Sequence, residues 1–332
     1  LFKPYAYKKD EEHAKEVCRN CACLAVECTC GSLKVSNVGV HTCVTCFQTV
    51  AKAYSNKHVC YMKPRRKKDY LNESKIFVYD IEAKHSYVPE IDQHIHGCIL
   101  ICLEAVYDDR KWRFYSIKEF VEFLIANKEM HGSTILAHNG GGYDHQFVLR
   151  HIEENAIMHS VLPRPGTLHK YLLVTILMTG EESEIQFKDF LMFMSDSLKN
   201  IGEAFKLPAS KGDFPHKFSI DEHLEYVGRL PVLHDDEKDW YSLKQIKTEA
   251  ELEETITYWE GQEKIYCTCE AECQCTKQKW DFKFELEKYC WLDVAVLKGA
   301  CRAYRDAALN FKGESEYGWS VDGIDPFKYT TQ

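Results

Sequence analysis

No stretch of this chain reaches the roughly 18 apolar residues of a membrane-spanning helix, and no charged, apolar and cleavable leader opens it. Long fixed-period repeats are also missing, and the first residue is not Met, so a fragment or processed form is expected. The net charge is −9; the excess acid lies beyond a basic first 70 residues and argues against broad nonspecific nucleic-acid binding there, while the basic arm suggests a polyanion partner. Low hydrophobicity is absent too: 45% hydrophobic and 13% aromatic residues exclude a disordered chain and allow a sizeable core. At 332 residues there is room for one large domain or two modest ones.

Cysteine is plentiful, but it is not spaced like a disulfide framework. Of 16 cysteines, eight fall between Cys18 and Cys60, and four more between Cys267 and Cys275. Cys18-x-x-Cys21 and Cys43-x-x-Cys46 have zinc-knuckle spacing, and close pairs of this kind suit a metal better than a disulfide. Cys23, Cys28, Cys30, His41, His58 and Cys60 could complete a second site, with Cys28, Cys30, His58 and Cys60 one such set. The role expected is structural, because so short a segment needs a staple. Cys267, Cys269, Cys273 and Cys275 form a further tetrathiolate, belong to a disordered acidic loop, or share a site with the N-terminal cysteines. Cys98, Cys102, Cys290 and Cys301 stand in apolar periodic segments and read as core. Reduced thiols and no leader lead to the expectation of an intracellular protein, at a nuclear or cytoplasmic replication site and not secreted.

Charge is uneven. Residues 1–70 carry 13 Lys/Arg against six Asp/Glu, a net of +7, which leaves −16 for the remainder. The basic run "KPRRKK" at the end of this arm is either a solvated linker or a phosphate-contacting patch.

From Lys75 onward the pattern becomes strands and helices. "KIFVYDI", "HGCILICLEAVY", "KWRFYS" and "STILAHN" read as strands, and "KYLLVTILM" with "EIQFKDF" as a strand pair. "IKEFVEFLIANKEM", "YDHQFVLRHIEEN" and "DSLKNIGEAFKL", the last capped by Ser197, read as helices; "FELEKYCWLDVAVLKGACRAYRDAALNF" reads as one long helix. This order predicts an α/β fold with a mixed sheet and flanking helices. Residues 234–280 are acidic and weakly periodic, and read as an insertion.

Carboxylates mark three of these elements. Asp80 and Glu82 are two apart at the end of an apolar strand, so both project from one face. "LAHNGGGYDHQF" ends a strand at His138-Asn139, passes three glycines and opens a helix at Tyr143-Asp144; no Gly-Lys-Ser/Thr follows, so it is not a phosphate loop. Tyr289 and Asp293 are four apart and share a helix face. Singly, each is an ordinary strand end, turn or helix pair. Together, Asp80, Glu82, Asp144 and Asp293 would repel without cations, and oxygen-rich clusters suit two Mg²⁺ or Mn²⁺ ions that activate water on a phosphodiester.

In this order, D-x-E, N-x₃-Y-D and Y-x₃-D resemble the three exonuclease motifs of family B DNA polymerases, the DEDDy type of 3′–5′ nuclease with a ribonuclease H-like fold. "DSLKNI" and "KGDF" (Lys211 to Phe214) resemble two motifs of the protein-primed branch. "HVCYMKP" and "DPFKY" are similar to its eukaryotic virus and Polinton/Maverick-type members. The resemblance spans about residues 58–330. It implies that Asp80, Glu82, Asp144 and Asp293 ligate metal and that Tyr289 orients the attacking water. It also implies that His138, Asn139, Tyr143, Phe147, Ser197 and Leu198 hold a single-stranded 3′ end, with Lys211 contacting a phosphate and helping catalysis. Ala83 departs from the pattern, since many members have Thr there. The polymerase palm motifs are absent from this chain.

The organisation expected is therefore a zinc module with a basic linker over 1–70 and an exonuclease domain over 71–312 with an insertion at about 234–280. A connector over 313–332 would lead towards a polymerase domain outside the chain. The partners implied are a DNA 3′ end and a terminal priming protein, with no membrane. The competing reading is a zinc-dependent nucleic-acid or protein-binding module on an inactive nuclease scaffold.

Overall fold

The computed structural model describes residues 71–328 except 165–169, 179–182, 209–212, 234–238, 244–245, 247, 270–274, 315–319 and 323–324, together with four short strands nearer the N-terminus. The chain divides into two compact units, Leu1–Lys68 and Asp69–Gln332.

In the first unit, β1 (Val17–Cys18) pairs antiparallel with β2 (Lys34–Val35), and β3 (Val40–Thr42) with β4 (Thr49–Ala51). Of the expected zinc ligands, Cys18 ends β1, while Cys21, Cys28, Cys30, Cys43, Cys46, His58 and Cys60 lie outside the described residues.

The second unit is built on a seven-stranded sheet. Its strands are β5 (Ile76–Val88), β6 (Gln93–Ala105), β7 (Lys111–Phe114), β8 (Thr134–Ala137), β9 (His159–Pro163), β10 (Tyr171–Leu177) and β11 (Glu184–Asp189), in the spatial order β7-β6-β5-β8-β11-β10-β9. Strand β8 runs parallel to both β5 and β11, and the other neighbours are antiparallel, so the sheet is mixed as expected. Ile76, Phe77, Val78 and Tyr79 are all fully buried because β5 is covered on both faces. Phe77, Tyr79 and Ile81 pack against α1 (Ile117–Ala126) and α2 (Asp144–Glu154). Ile76 and Val78 face the opposite layer, formed by α3 (Leu198–Ala204) and a 29-residue helix, Phe282–Asn310.

Caps set where these helices begin. The Ser116 and Ser197 hydroxyls accept the Glu119 and Asn200 amide hydrogens at the starts of α1 and α3. The segment expected to be a weakly periodic insertion instead contains α4 (Glu249–Ile265), opened by a Thr248–Glu251 capping box. Only Thr255 of α4 is buried, which is why no apolar stripe marks this helix in the sequence. The 29-residue helix is α5. Strands β12 (Val227–Gly228) and β13 (Trp280–Asp281) pair ahead of it, and β14 (Lys312–Glu314) and β15 (Ser320–Asp322) pair after it.

The two ends of this unit are tied together. Asp325 accepts from the buried Arg305 guanidinium at 2.8 Å and from the Leu71 amide at 2.9 Å, and Lys188 Nζ donates to the Phe327 carbonyl at 2.5 Å. No described helix is long and apolar enough to cross a membrane.

Candidate active site

The parallel pairing of β5 with β8 ends at Val78↔Leu136. Asp80 and Glu82 follow Ile76 and Val78 on one face, towards α5. The Ile81 amide, past the last parallel pair, donates instead to Asp144 Oδ1 at 3.1 Å. A register shift in the β5–β6 pairing falls between Glu82 and Ala83, so the acidic pair sits at a local irregularity. An oxygen of Asp80, an oxygen of Glu82 and the Cys290 sulfur lie within 4.8 Å of one another. Cys290 Sγ stands 3.8 Å from Asp80 Oδ2.

The glycine turn delivers Asp144. Strand β8 ends at Ala137, Asn139 takes a left-handed backbone (φ 59°), and Gly140–Gly142 form one tight turn before α2. Gly141 is required there, since a Cβ would lie 2.1 Å from the Tyr171 carbonyl oxygen. The Asp189 carboxylate holds the same turn, accepting from the Gly141 amide at 3.2 Å and the Leu191 amide at 3.0 Å. His138 Nε2 donates to the Asp196 carbonyl at 2.9 Å, which brings this turn to Ser197, the cap of α3. Leu198 is buried in the core beside α5. Tyr143 and Phe147 meet edge to face, with ring centroids 5.2 Å apart, and the Tyr143 hydroxyl hydrogen-bonds His96 Nδ1 at 2.8 Å.

Helix α5 supplies the third element. The Tyr289 ring lies 5.3 Å from Phe214 and 5.1 Å from His216, and its hydroxyl hydrogen-bonds the Asp293 carboxylate one turn on. Tyr289 and Asp293 are both buried.

The fields of these groups overlap. Burial, and then the charge of Asp80, push the Asp144 carboxyl well above the usual range. Burial first, and then Asp293, Glu82 and Asp80, raise the Tyr289 hydroxyl. Tyr143 is raised by burial and then by Asp144, Glu82 and Asp80. His145, beside Asp144 and fully buried, is pushed down to about 3, so it contributes no positive charge at neutral pH. Carboxylates from β5 and α2 thus act on one another, and those of β5 and α5 meet at the Tyr289 hydroxyl. Such an all-oxygen anionic set fits a hard divalent cation.

Lys211 and Cys273 lie outside the described residues. Cys267, Cys269 and Cys275 are described, the first buried and the other two exposed. Two neighbours of the site were not anticipated. Cys290, read as core, also borders Asp80 and Glu82; its place three residues before Asp293 on the same helix is the signal that could have found it. His96 reaches Tyr143 from β6, and no local pattern marks it.

Residues 125–315 match the family described as DNA polymerase type B, organellar and viral. The match includes Asp144, Tyr289 and Asp293 and begins after Asp80 and Glu82. A probable DNA polymerase of Ascobolus immersus is 24% identical over 75% of this chain and 20% of its own length. A DNA polymerase of Kluyveromyces lactis is 26% identical over 57% of this chain and 17% of its own. The chain therefore spans about a fifth of the curated relatives it matches. Among solved structures, Phi29 DNA polymerase complexed with primer-template DNA and incoming nucleotide substrates aligns at TM-score 0.43 and 15% identity, over 71% of this chain and 32% of the other.

Proposed function

Because the chain belongs to the organellar and viral type B DNA polymerases, we propose that its carboxylate site is a divalent-metal-dependent 3′–5′ exonuclease for single-stranded or frayed DNA ends. The observation that carries this reading is the convergence of Asp80, Glu82, Asp144, Tyr289 and Asp293 from three separated elements. Proofreading within a longer protein-primed polymerase is the setting we infer, with a terminal priming protein as a partner of that longer protein.

Asp80, Glu82, Asp144 and Asp293 would hold two Mg²⁺ or Mn²⁺ ions, which supply an activated water and neutralise charge on the departing oxygen. The Ile81 amide would hold the Asp144 carboxylate in place as a ligand beside Asp80. Tyr289 stays protonated at neutral pH, since burial and three carboxylates raise its hydroxyl, and it can orient a water as a neutral hydrogen-bonding group. Tyr143 and Phe147 offer ring faces and edges to an unstacked terminal base. His138, Asn139 and Ser197 would line the strand beside them, Leu198 would back them from the core, and Lys211 would meet a phosphate.

The test uses a single-stranded DNA oligonucleotide labelled at its 5′ end. With Mg²⁺ or Mn²⁺ it should shorten stepwise from the 3′ end, and with a chelator it should stay intact. Absence of shortening with either ion would favour a binding scaffold over a nuclease.

A further inference from the structure

We propose that Cys267, Cys269 and Cys275 hold a thiophilic divalent ion, zinc, which clips the end of the α4 segment to the start of α5. The three sulfurs lie within 4.8 Å of one another, and none is in a disulfide. Zinc with thiolates at about 2.3 Å in a tetrahedron sets sulfurs about 3.8 Å apart, so the cluster needs only a slight closing. Three thiolates leave one position for a water or a further side chain. The soft sulfur set selects zinc over the Mg²⁺ or Mn²⁺ suited to the carboxylates.

Backbone pairing explains the convergence. The Cys267 amide donates to the Gln278 carbonyl at 2.8 Å, and the Cys267 carbonyl accepts from the Leu230 amide at 2.7 Å. Tyr266 forms a parallel bridge to Gln278, so residues 266–267 and 278 are held side by side. Cys275, three residues before Gln278, thus lies near Cys267 and Cys269.

The clip is connected to the rest of the unit. The Tyr266 hydroxyl donates to Glu285 in the first turn of α5. Trp280, two residues past Gln278, is buried against Phe214 and Phe218, and Phe214 packs on Tyr289. A metal there would brace the aromatic layer that supports the helix bearing Tyr289 and Asp293. The site itself does not depend on the nuclease reading.

The experiment compares zinc per chain in the full-length protein with that in Cys269→Ser/Cys275→Ser. Both thiols are exposed, so the change leaves the core intact. Zinc should fall by one equivalent and the melting temperature should drop. Cys269→His, which keeps a zinc ligand, should retain the equivalent that Cys269→Ser loses; this comparison also guards against a double variant that fails to fold. Cobalt loaded in place of zinc should show less thiolate charge-transfer absorption in the double variant. Equal zinc in wild type and the serine variants would overturn the proposal. So would a disulfide among these cysteines, revealed by two extra thiols after reduction.

Discussion

The Asp144 carboxylate accepts the Ile81 amide hydrogen at 3.1 Å, so the first turn of α2 is fastened to β5 between Asp80 and Glu82. This bond holds Asp144 against the like charge of Asp80. Asp144→Asn keeps an oxygen for the Ile81 amide and removes the charge. Hydrolysis should fall by about a thousandfold or more, because several kcal/mol of metal-borne stabilisation are lost and each 1.36 kcal/mol is tenfold. The melting temperature should hold or rise, since a desolvated carboxylate is unfavourable. Single-turnover rates and a thermal melt on the same sample check both halves.

Tyr289→Phe removes one hydroxyl and leaves the ring between Phe214 and His216. The fold should survive. Its rate should fall by about tenfold to a hundredfold, or roughly 1.4–2.7 kcal/mol, less than for any carboxylate. A loss as large as that of Asp144→Asn would assign the hydroxyl a more direct part.

Gly141→Ala drives a Cβ into the Tyr171 carbonyl, which is backbone and cannot swing aside. Overpacking of this kind costs about 1–3 kcal/mol. The melting temperature should drop, at about 2–4 °C per kcal/mol for a unit of this size. Activity should fall as well, because Asp144 begins three residues later. A variant with wild-type stability would contradict the tight turn.

The shared face of Asp80 and Glu82 on β5 is readable because an apolar run meets two acids and strand side chains alternate, which puts both on one side. The bond from Ile81 to Asp144 was not readable, since it depends on where the β5–β8 pairing stops, a non-local register. Helix α4 was missed because its faces are mostly solvated, although its capping box was present in the sequence. The extension of β5 to Val88 was missed because residues beyond Glu82 leave the core and lose the buried pattern. Lys188 offered no warning either, as a polar residue in a strand is normally exposed.

Lys188 nevertheless yields a pH prediction. It is 2% exposed, and burial lowers its ammonium from 10.5 to about 8. The folded state then gives up this proton before the unfolded chain does. Stability contributed by the group should therefore rise with pH between about 8 and 10.5, by up to about 3 kcal/mol. In Lys188→Met that rise should vanish. Urea titrations of both proteins across this window check it, and an unchanged slope in the variant would contradict it.

The most direct test of the carboxylate site is the Mn²⁺-dependent degradation of 5′-labelled single-stranded DNA by wild type and by Asp80→Ala/Glu82→Ala, with melting temperature and zinc content matched. Two of the four carboxylates are then gone, and Asp144 and Asp293 are too few for an ion pair. The rate should be at least about a thousandfold lower in the double variant, with the fold and zinc content unchanged. A double variant that degrades the strand at a near-native rate would contradict it.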